Sequence, residues 1–292
     1  MKNNSNISIS FEVFPPNTPQ GLQKLHETCK KLNALQPKFI SVTYGAAGAS
    51  QLKTVRLVKQ LATSAVPTTP HISCVGMTKI RLQKLLNQYI EFGVKRLVVI
   101  RGDFIAGSGV SDFNYASDLV SYIRKLTHDH FHIAVAAYPE FHPQSATSEI
   151  DFIHFKHKVE AGANSAITQF FFNSDAYSRF RENCYKAGIS IPIIPGIMPI
   201  QDYDKLLRFS GACGAEIPLW LRKQLDSFSG DVFSIKSLGV ELITKLCERL
   251  LLEGAEGLHF YTLNQINATM HIYRSLFSDT NCADFLNFMY AS

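Results

Sequence analysis

Eight short apolar runs rich in β-branched residues recur along the chain, with helical patterns between them. This alternation constrains the fold more than any motif does. The runs are ISISFEVF (7–14), KFISVTYG (38–45), TPHISCV (69–75), RLVVIRG (96–102), HIAVAAYP (132–139), SAITQFFF (165–172), PIIPGI (192–197) and GLHFYT (257–262). Strands that alternate with helices read as parallel βαβ units, and eight of them close a barrel of about 250 residues. The helical patterns include 18–35, 77–93, 151–163 and 233–254. In the last, Ile235, Leu238, Leu242, Leu246 and Leu250 fall three or four apart, with Gly254 as the C-terminal cap. The stretch 198–256 leaves room for extra helices. The expected fold is of class α/β: a single (β/α)8 TIM barrel over residues 1–292, with extra helices before the last strand.

A doubly wound open sheet is the rival. It normally carries a glycine-rich phosphate turn after its first strand, whereas here the first run ends in Pro15-Pro16. The loops YGAAGAS (44–50) and AGSGVS (106–111) lack the nucleotide-binding spacings and read as ordinary turns. No apolar run approaches the roughly 18 residues that span a bilayer, and the polar start has no secretory apolar core. Net charge is +5 without basic runs, which suits small anionic ligands better than nucleic acid. Six cysteines, none in a CxxC pair, read as free thiols of a reducing cytoplasm. The expectation is a cytoplasmic protein with no metal, membrane or nucleic-acid partner.

Chemistry in such barrels sits on the C-terminal rim. Glu12 stands near the end of the first run, Thr43 after the second and His71 within the third. Arg101 and Asp103 follow the fourth run and Tyr138 and His142 the fifth; Gln169 lies in the sixth, and Tyr261 and Thr262 end the eighth. Alternation puts Ser8, Ser10, Glu12 and Phe14 on one face and Ile7, Ile9, Phe11 and Val13 on the other. Ser41 with Thr43, and Ala134 and Ala136 with Tyr138, read as inward-facing in the same way. A carboxylate at the end of a buried strand is costly unless it is used. By contrast HDHFH (128–132) bridges a helix end and a strand start, at the bottom of a barrel. His154 and His157 sit three apart on a helix without further ligands, which reads as surface.

Taken in order, SFEVFPP (10–16), KFISVTYGA (38–46), PHISC (70–74), RGD (101–103), YASDLV (115–120), VAAYPEFHP (135–143), KVEAGANSAITQFFF (158–172), IIPGIMP (193–199) and HFYTLN (259–264) resemble methylenetetrahydrofolate reductases of the short bacterial type. The resemblance runs from about residue 7 to 275 and implies a barrel without the regulatory domain of animal enzymes. It also implies bound FAD, NADH or NADPH as reductant, and reduction of 5,10-methylenetetrahydrofolate to 5-methyltetrahydrofolate. Glu12 matches the family's general acid, which opens the folate five-membered ring to a 5-iminium cation. Desolvation at an apolar strand end with few counter-charges is expected to help it keep its proton. Asp103 matches the acid beside flavin and pterin, held ionised to stabilise that cation.

Thr43 matches a nicotinamide-side contact, and His71, Arg101, Gly102, Tyr115, Ala116, Tyr138, His142, Asp151 and Lys158 match contacts to the flavin dinucleotide. Gln169 matches a pterin hydrogen bond, and Phe209 the aromatic that stacks on substrate. This chain departs from the family at His154 and His157, where Asn and Arg are usual. It also has Gln265 in place of an Arg that contacts the folate tail, and Lys205 in place of a substrate-contacting Gln. A homo-oligomer is expected. Two other classes compete: a catalytically idle folate or flavin binding module, for which a general acid is superfluous, and a metal-dependent barrel hydrolase, for which only His71 and His142 offer a start.

Overall fold

The computed structural model describes residues 7–44, 51–103, 109–228 and 230–277. Eight parallel strands close into one barrel in chain order. They are β1 (Ser8–Val13), β2 (Phe39–Val42), β3 (Thr68–Ser73), β4 (Arg96–Ile100), β5 (His132–Ala137), β6 (Ser165–Phe170), β7 (Ile193–Ile197) and β8 (Gly257–Tyr261). Around them run α1 (Pro19–Asn33), α2 (Gln51–Leu61), α3 (Lys79–Glu91), α4 (Ala116–Thr127), α5 (Ser148–Glu160), α6 (Ser174–Lys186), α7 (Tyr203–Cys213), α8 (Leu219–Ser227), α9 (Val232–Leu252) and α10 (Asn267–Phe277). The expected extra helices are α7 and α8, which precede α9 between β7 and β8. The loop 44–50 lies outside the described residues except for Tyr44, as do 106–108 of the other glycine loop and Cys282. Cys29, Cys74, Cys184, Cys213 and Cys247 are free. Among the described residues no helix is long and apolar enough to cross a membrane.

Threonine, asparagine and aspartate side chains start the helices. Thr18, Thr78 and Thr147 accept from backbone N–H groups at the heads of α1, α3 and α5, and Asn173, Asp202 and Asp231 do so for α6, α7 and α9. Each cap satisfies a donor that the first helical turn leaves free. Strand alternation then sorts the side chains. Ile9, Phe11, Val13, Ile40, Val42, Leu97, Val99, Leu258 and Phe260 join the helices in the main apolar core. Their neighbours in sequence point into the lumen, where Phe39, Val98, Ala134 and Ile167 form a second, small cluster with Ile100 and Tyr261. Register keeps lumen residues together: Glu12 pairs with Ser41 and Tyr261, and Ser10 with Phe39 and His259. The inward reading of Ser10, Glu12, Ser41 and Ala134 therefore holds.

The α9 stripe is rotated from the expected one. Ile235 and Leu250 are fully buried, but Val240, Ile243 and Cys247 fill the centre of the face, while Leu238, Leu242 and Leu246 are only partly covered. Gly239 sets this rotation. A Cβ there would lie 2.3 Å from the Ile200 carbonyl oxygen, so the helix lies directly on the backbone that follows β7. α9 also packs against α10. Spacing within the helix could not reveal a glycine contact surface, because the stripe of large residues is offset from it.

At the bottom of the lumen, the Arg96 guanidinium lies 4.9 Å over the Phe39 ring. His132 Nε2 is 2.8 Å from Ser165 Oγ. Burial, reinforced by Arg96, Lys38 and Arg124, pushes the His132 imidazole down to about 4. His128 caps the C-terminus of α4, so HDHFH does occupy the end of the barrel away from the rim.

On α3, Tyr89 is fully buried and its hydroxyl has no hydrogen-bond partner among the described residues. Replacing it by phenylalanine keeps the packing and removes an unsatisfied polar atom. Tyr89→Phe is expected to stabilise the fold by about 1 kcal/mol, seen as a raised midpoint in thermal or urea unfolding; a fall of similar size would reveal a hidden partner.

Candidate active site

The strand ends open into a cavity of about 500 Å³. Glu12, Thr43, His71, Arg101, Gly102, Asp103, Tyr115, Ala116, Tyr138, His142, Asp151, Lys158 and Gln169 all line it. Lys205, Phe209 and Gln265 do not. They line a second cavity of about 170 Å³ beyond the ends of β7 and β8, with Asp202, Val232 and Lys236. Lys205 is already paired there, its Nζ 3.1 Å from Asp202 Oδ2.

Glu12 is held by its backbone. The Thr262 hydroxyl donates to the Glu12 carbonyl at 2.6 Å and the Thr262 N–H at 3.3 Å. One step further, Asn264 exchanges two hydrogen bonds with the Phe14 backbone, at 2.9 and 2.8 Å. Leu263 and Asn264 adopt φ of +50° and +58° to make this clamp, a conformation costing roughly 1 kcal/mol or more at a leucine. The side chain, 18% exposed, meets two imidazoles: His71 Nε2 at 3.3 Å and His259 Nε2 at 3.8 Å from Oε2. The strand end is thus less apolar than expected, because the third and eighth strands both present a histidine at its level. The His71 contact is within ion-pair reach, yet its Nε2 makes no hydrogen bond, so the approach is close but poorly aligned. Burial holds the His71 imidazole below its ordinary range; Glu12 opposes this and His259 adds to it.

Asp103 sits at the exposed rim, a far wetter place than Glu12. Beside it Gly102 has φ +77°, and a Cβ there would lie 2.1 Å from Ser73 Oγ, so only glycine fits. One side of the cavity is cationic. Lys158 Nζ donates to the Ala136 carbonyl at 2.6 Å. Burial pushes its ammonium down to about 8; Asp151 opposes the shift and Arg101 adds to it. Arg101 donates to Gln144 Oε1. The loop carrying Gln144 is folded around Asp151, whose oxygens accept from the His142 N–H at 3.2 Å and the Ser145 hydroxyl at 3.0 Å. Over the mouth, Tyr115 stacks on His154 with centroids 5.1 Å apart and planes at 19°. His154, expected at the surface, therefore belongs to the cavity wall.

Two cations, a flush glycine and stacked rings around one cavity can hold a phosphate-bearing ligand with a planar ring system. Among the described residues no group of three or more His, Cys, Asp or Glu converges as metal ligands do. Sequence reading missed His259 as a site residue, although it is two positions before Tyr261 and thus shares its inward face. Tyr44, Gln144 and Ser145 were also missed, being loop residues without a period to reveal them.

A family model described as methylenetetrahydrofolate reductase matches residues 1–277. The 5,10-methylenetetrahydrofolate reductase of Escherichia coli (strain K12) is 37% identical over 271 residues, 92% of this chain and 90% of that one. That of Buchnera aphidicola subsp. Acyrthosiphon pisum (strain APS) is 40% identical over 272 residues, covering 92% and 91%. Among solved structures, an uncharacterized Clostridium thermocellum protein described as binding two copies of 5-methyl-5,6,7,8-tetrahydrofolic acid shares the fold. Its TM-score is 0.63 at 17% identity, over 92% of this chain and 94% of that one.

Lys158 yields a pH prediction. Its cation is present below about 8 and is lost as pH rises through that value. Sulfate, which does not titrate here, should raise the melting temperature at pH 7 and progressively less toward pH 9. Lys158→Met should remove most of this pH dependence; an undiminished sulfate effect in that variant would show that the anion is held elsewhere.

Proposed function

The chain belongs to the methylenetetrahydrofolate reductase family and is thus an oxidoreductase; we propose that it uses FAD and a reduced nicotinamide to convert 5,10-methylenetetrahydrofolate to 5-methyltetrahydrofolate in a ping-pong cycle. The observation that carries this reading is the meeting of Glu12, Asp103, Gln169 and the cationic wall in one cavity. When bound, FAD would supply the hydride relay between NADH or NADPH and the folate.

Arg101 and Lys158 would hold the dinucleotide's phosphates, and His71, Gly102, Asp103, Tyr115, Ala116, Tyr138, His142 and Asp151 its remaining contacts, with Thr43 on the nicotinamide side. Glu12 delivers a proton to the folate five-membered ring and opens it to the 5-iminium cation. Asp103 stabilises that positive charge from the rim. Gln169 hydrogen-bonds the pterin, and Phe209 stacks on substrate arriving past the smaller cavity. There Lys205, rather than Gln265, offers a cation to the folate tail. Exposed Leu219, Trp220 and Phe233 on α8 and α9 support assembly as a homo-oligomer.

The purified protein is expected to be yellow or to become so with FAD. NADH should bleach it without folate, and methylenetetrahydrofolate should restore the colour. A protein that never takes up FAD would refute the reading, and turnover by the isolated chain would exclude an idle binding module. In Glu12→Gln, bleaching by NADH should persist while the folate step slows about 100- to 10,000-fold; equal losses in both steps would remove Glu12 from the acid role.

A further inference from the structure

Deep in the lumen, behind Glu12, lies an imidazole for which the reaction described above has no use. His259 of β8 is fully buried. Its Nδ1 lies 2.8 Å from Ser10 Oγ. Its Nε2 has no hydrogen-bond partner among the described residues and faces Glu12 Oε2 at 3.8 Å. Phe39 stacks on the ring with centroids 5.8 Å apart, and Tyr261 meets it edge-on at 5.3 Å. These contacts fix the ring with Nε2 toward the carboxyl group. The titratable groups that face it are Glu12 from β1, His71 from β3 and Tyr261 on its own strand.

The tautomer of the ring follows from which partner donates in the Ser10 pair. A serine hydroxyl that donates to Nδ1 makes this nitrogen an acceptor and leaves the ring proton on Nε2. An N–H aimed at a carboxyl group stabilises it most once the carboxyl has lost its own proton. A small turn of the Glu12 side chain closes the 3.8 Å gap.

Resting on the reading of Glu12 as proton donor to the folate, we propose that His259, its tautomer fixed by Ser10, is a positioning residue that donates Nε2–H to the Glu12 carboxylate as the proton leaves. The Glu12 proton goes to the ring nitrogen of the folate. The bond from that nitrogen to the bridging carbon breaks with its electron pair staying on nitrogen, and the positive charge remains on the iminium left behind. His259 keeps its own proton throughout, and solvent reloads Glu12 after product departs.

Two measurements test this. Spectra of the protein labelled with ¹⁵N-histidine read the tautomer without any turnover. Nε2–H is expected for His259, with a mixture of tautomers in Ser10→Ala; an Nδ1–H ring in the parent overturns the proposal. Stopped-flow kinetics read the consequence. His259→Phe keeps a stacked ring and removes the donor. Its reduction by NADH should stay within about twofold of the parent, while its folate step slows about 10- to 100-fold. The falling limb of that step should also move up by about one pH unit, because a carboxylate without its donor holds its proton longer. His259→Gln, whose amide nitrogen reaches the Nε2 position, should bring the limb back, and Ser10→Ala should show the same shift as His259→Phe in smaller measure. An unmoved limb in an active His259→Phe, or equal losses in both steps, sinks this proposal alone. A parent protein that NADH does not reduce sinks the wider reading and this role with it, even where the tautomer is as expected.

Discussion

Closure of the sheet between β1 and β8 brings together residues 250 positions apart, and the site takes its shape from that seam. Thr262 and Asn264, just past β8, grip the backbone of β1 at Glu12 and Phe14. Pro15-Pro16 follows at once and cannot extend the ladder. The acid is therefore fixed at the mouth by hydrogen bonds to its own backbone, independently of what its side chain is doing. Left-handed φ at Leu263 and Asn264 is the strain that this grip sustains.

The same closure separates two interiors. Outside the sheet lies an apolar shell in which aliphatic and aromatic side chains meet the helices, and burial of each large one contributes about 1.5–3 kcal/mol. Inside, the lumen carries only a small apolar cluster, with Ser10, Ser41, Thr69, His71 and His259 buried beside it. Buried polar atoms without partners are costly. Two of those among the described residues, at His71 and His259, lie beneath the mouth next to Glu12. At the other end, Arg96 lies over Phe39 and His132 on Ser165.

Much of this was legible along the chain. Eight β-branched runs gave the strand number, and period-two alternation separated Glu12 from Phe11. Thirteen of the residues singled out in the sequence line one cavity of the structure. What stayed hidden has physical causes. His259 looked like one more polar residue in a strand, because its significance depends on β1 lying beside β8. His154 looked exposed because its cover is Tyr115, from a different βα loop. The stripe of α9 was misplaced because a glycine, which has no hydropathy signal, makes its closest approach to Ile200.

The sequence by itself determined the strand count, the faces and the identities of the acids and cations, since these follow from local periodicity and covalent chemistry. Only the tertiary structure decided which of those groups share a volume. It set Lys205, Phe209 and Gln265 apart in a second cavity and surrounded Glu12 with two imidazoles rather than aliphatics alone. Such distances depend on strand order and register around a closed barrel, and neither is written in any local stretch of the chain.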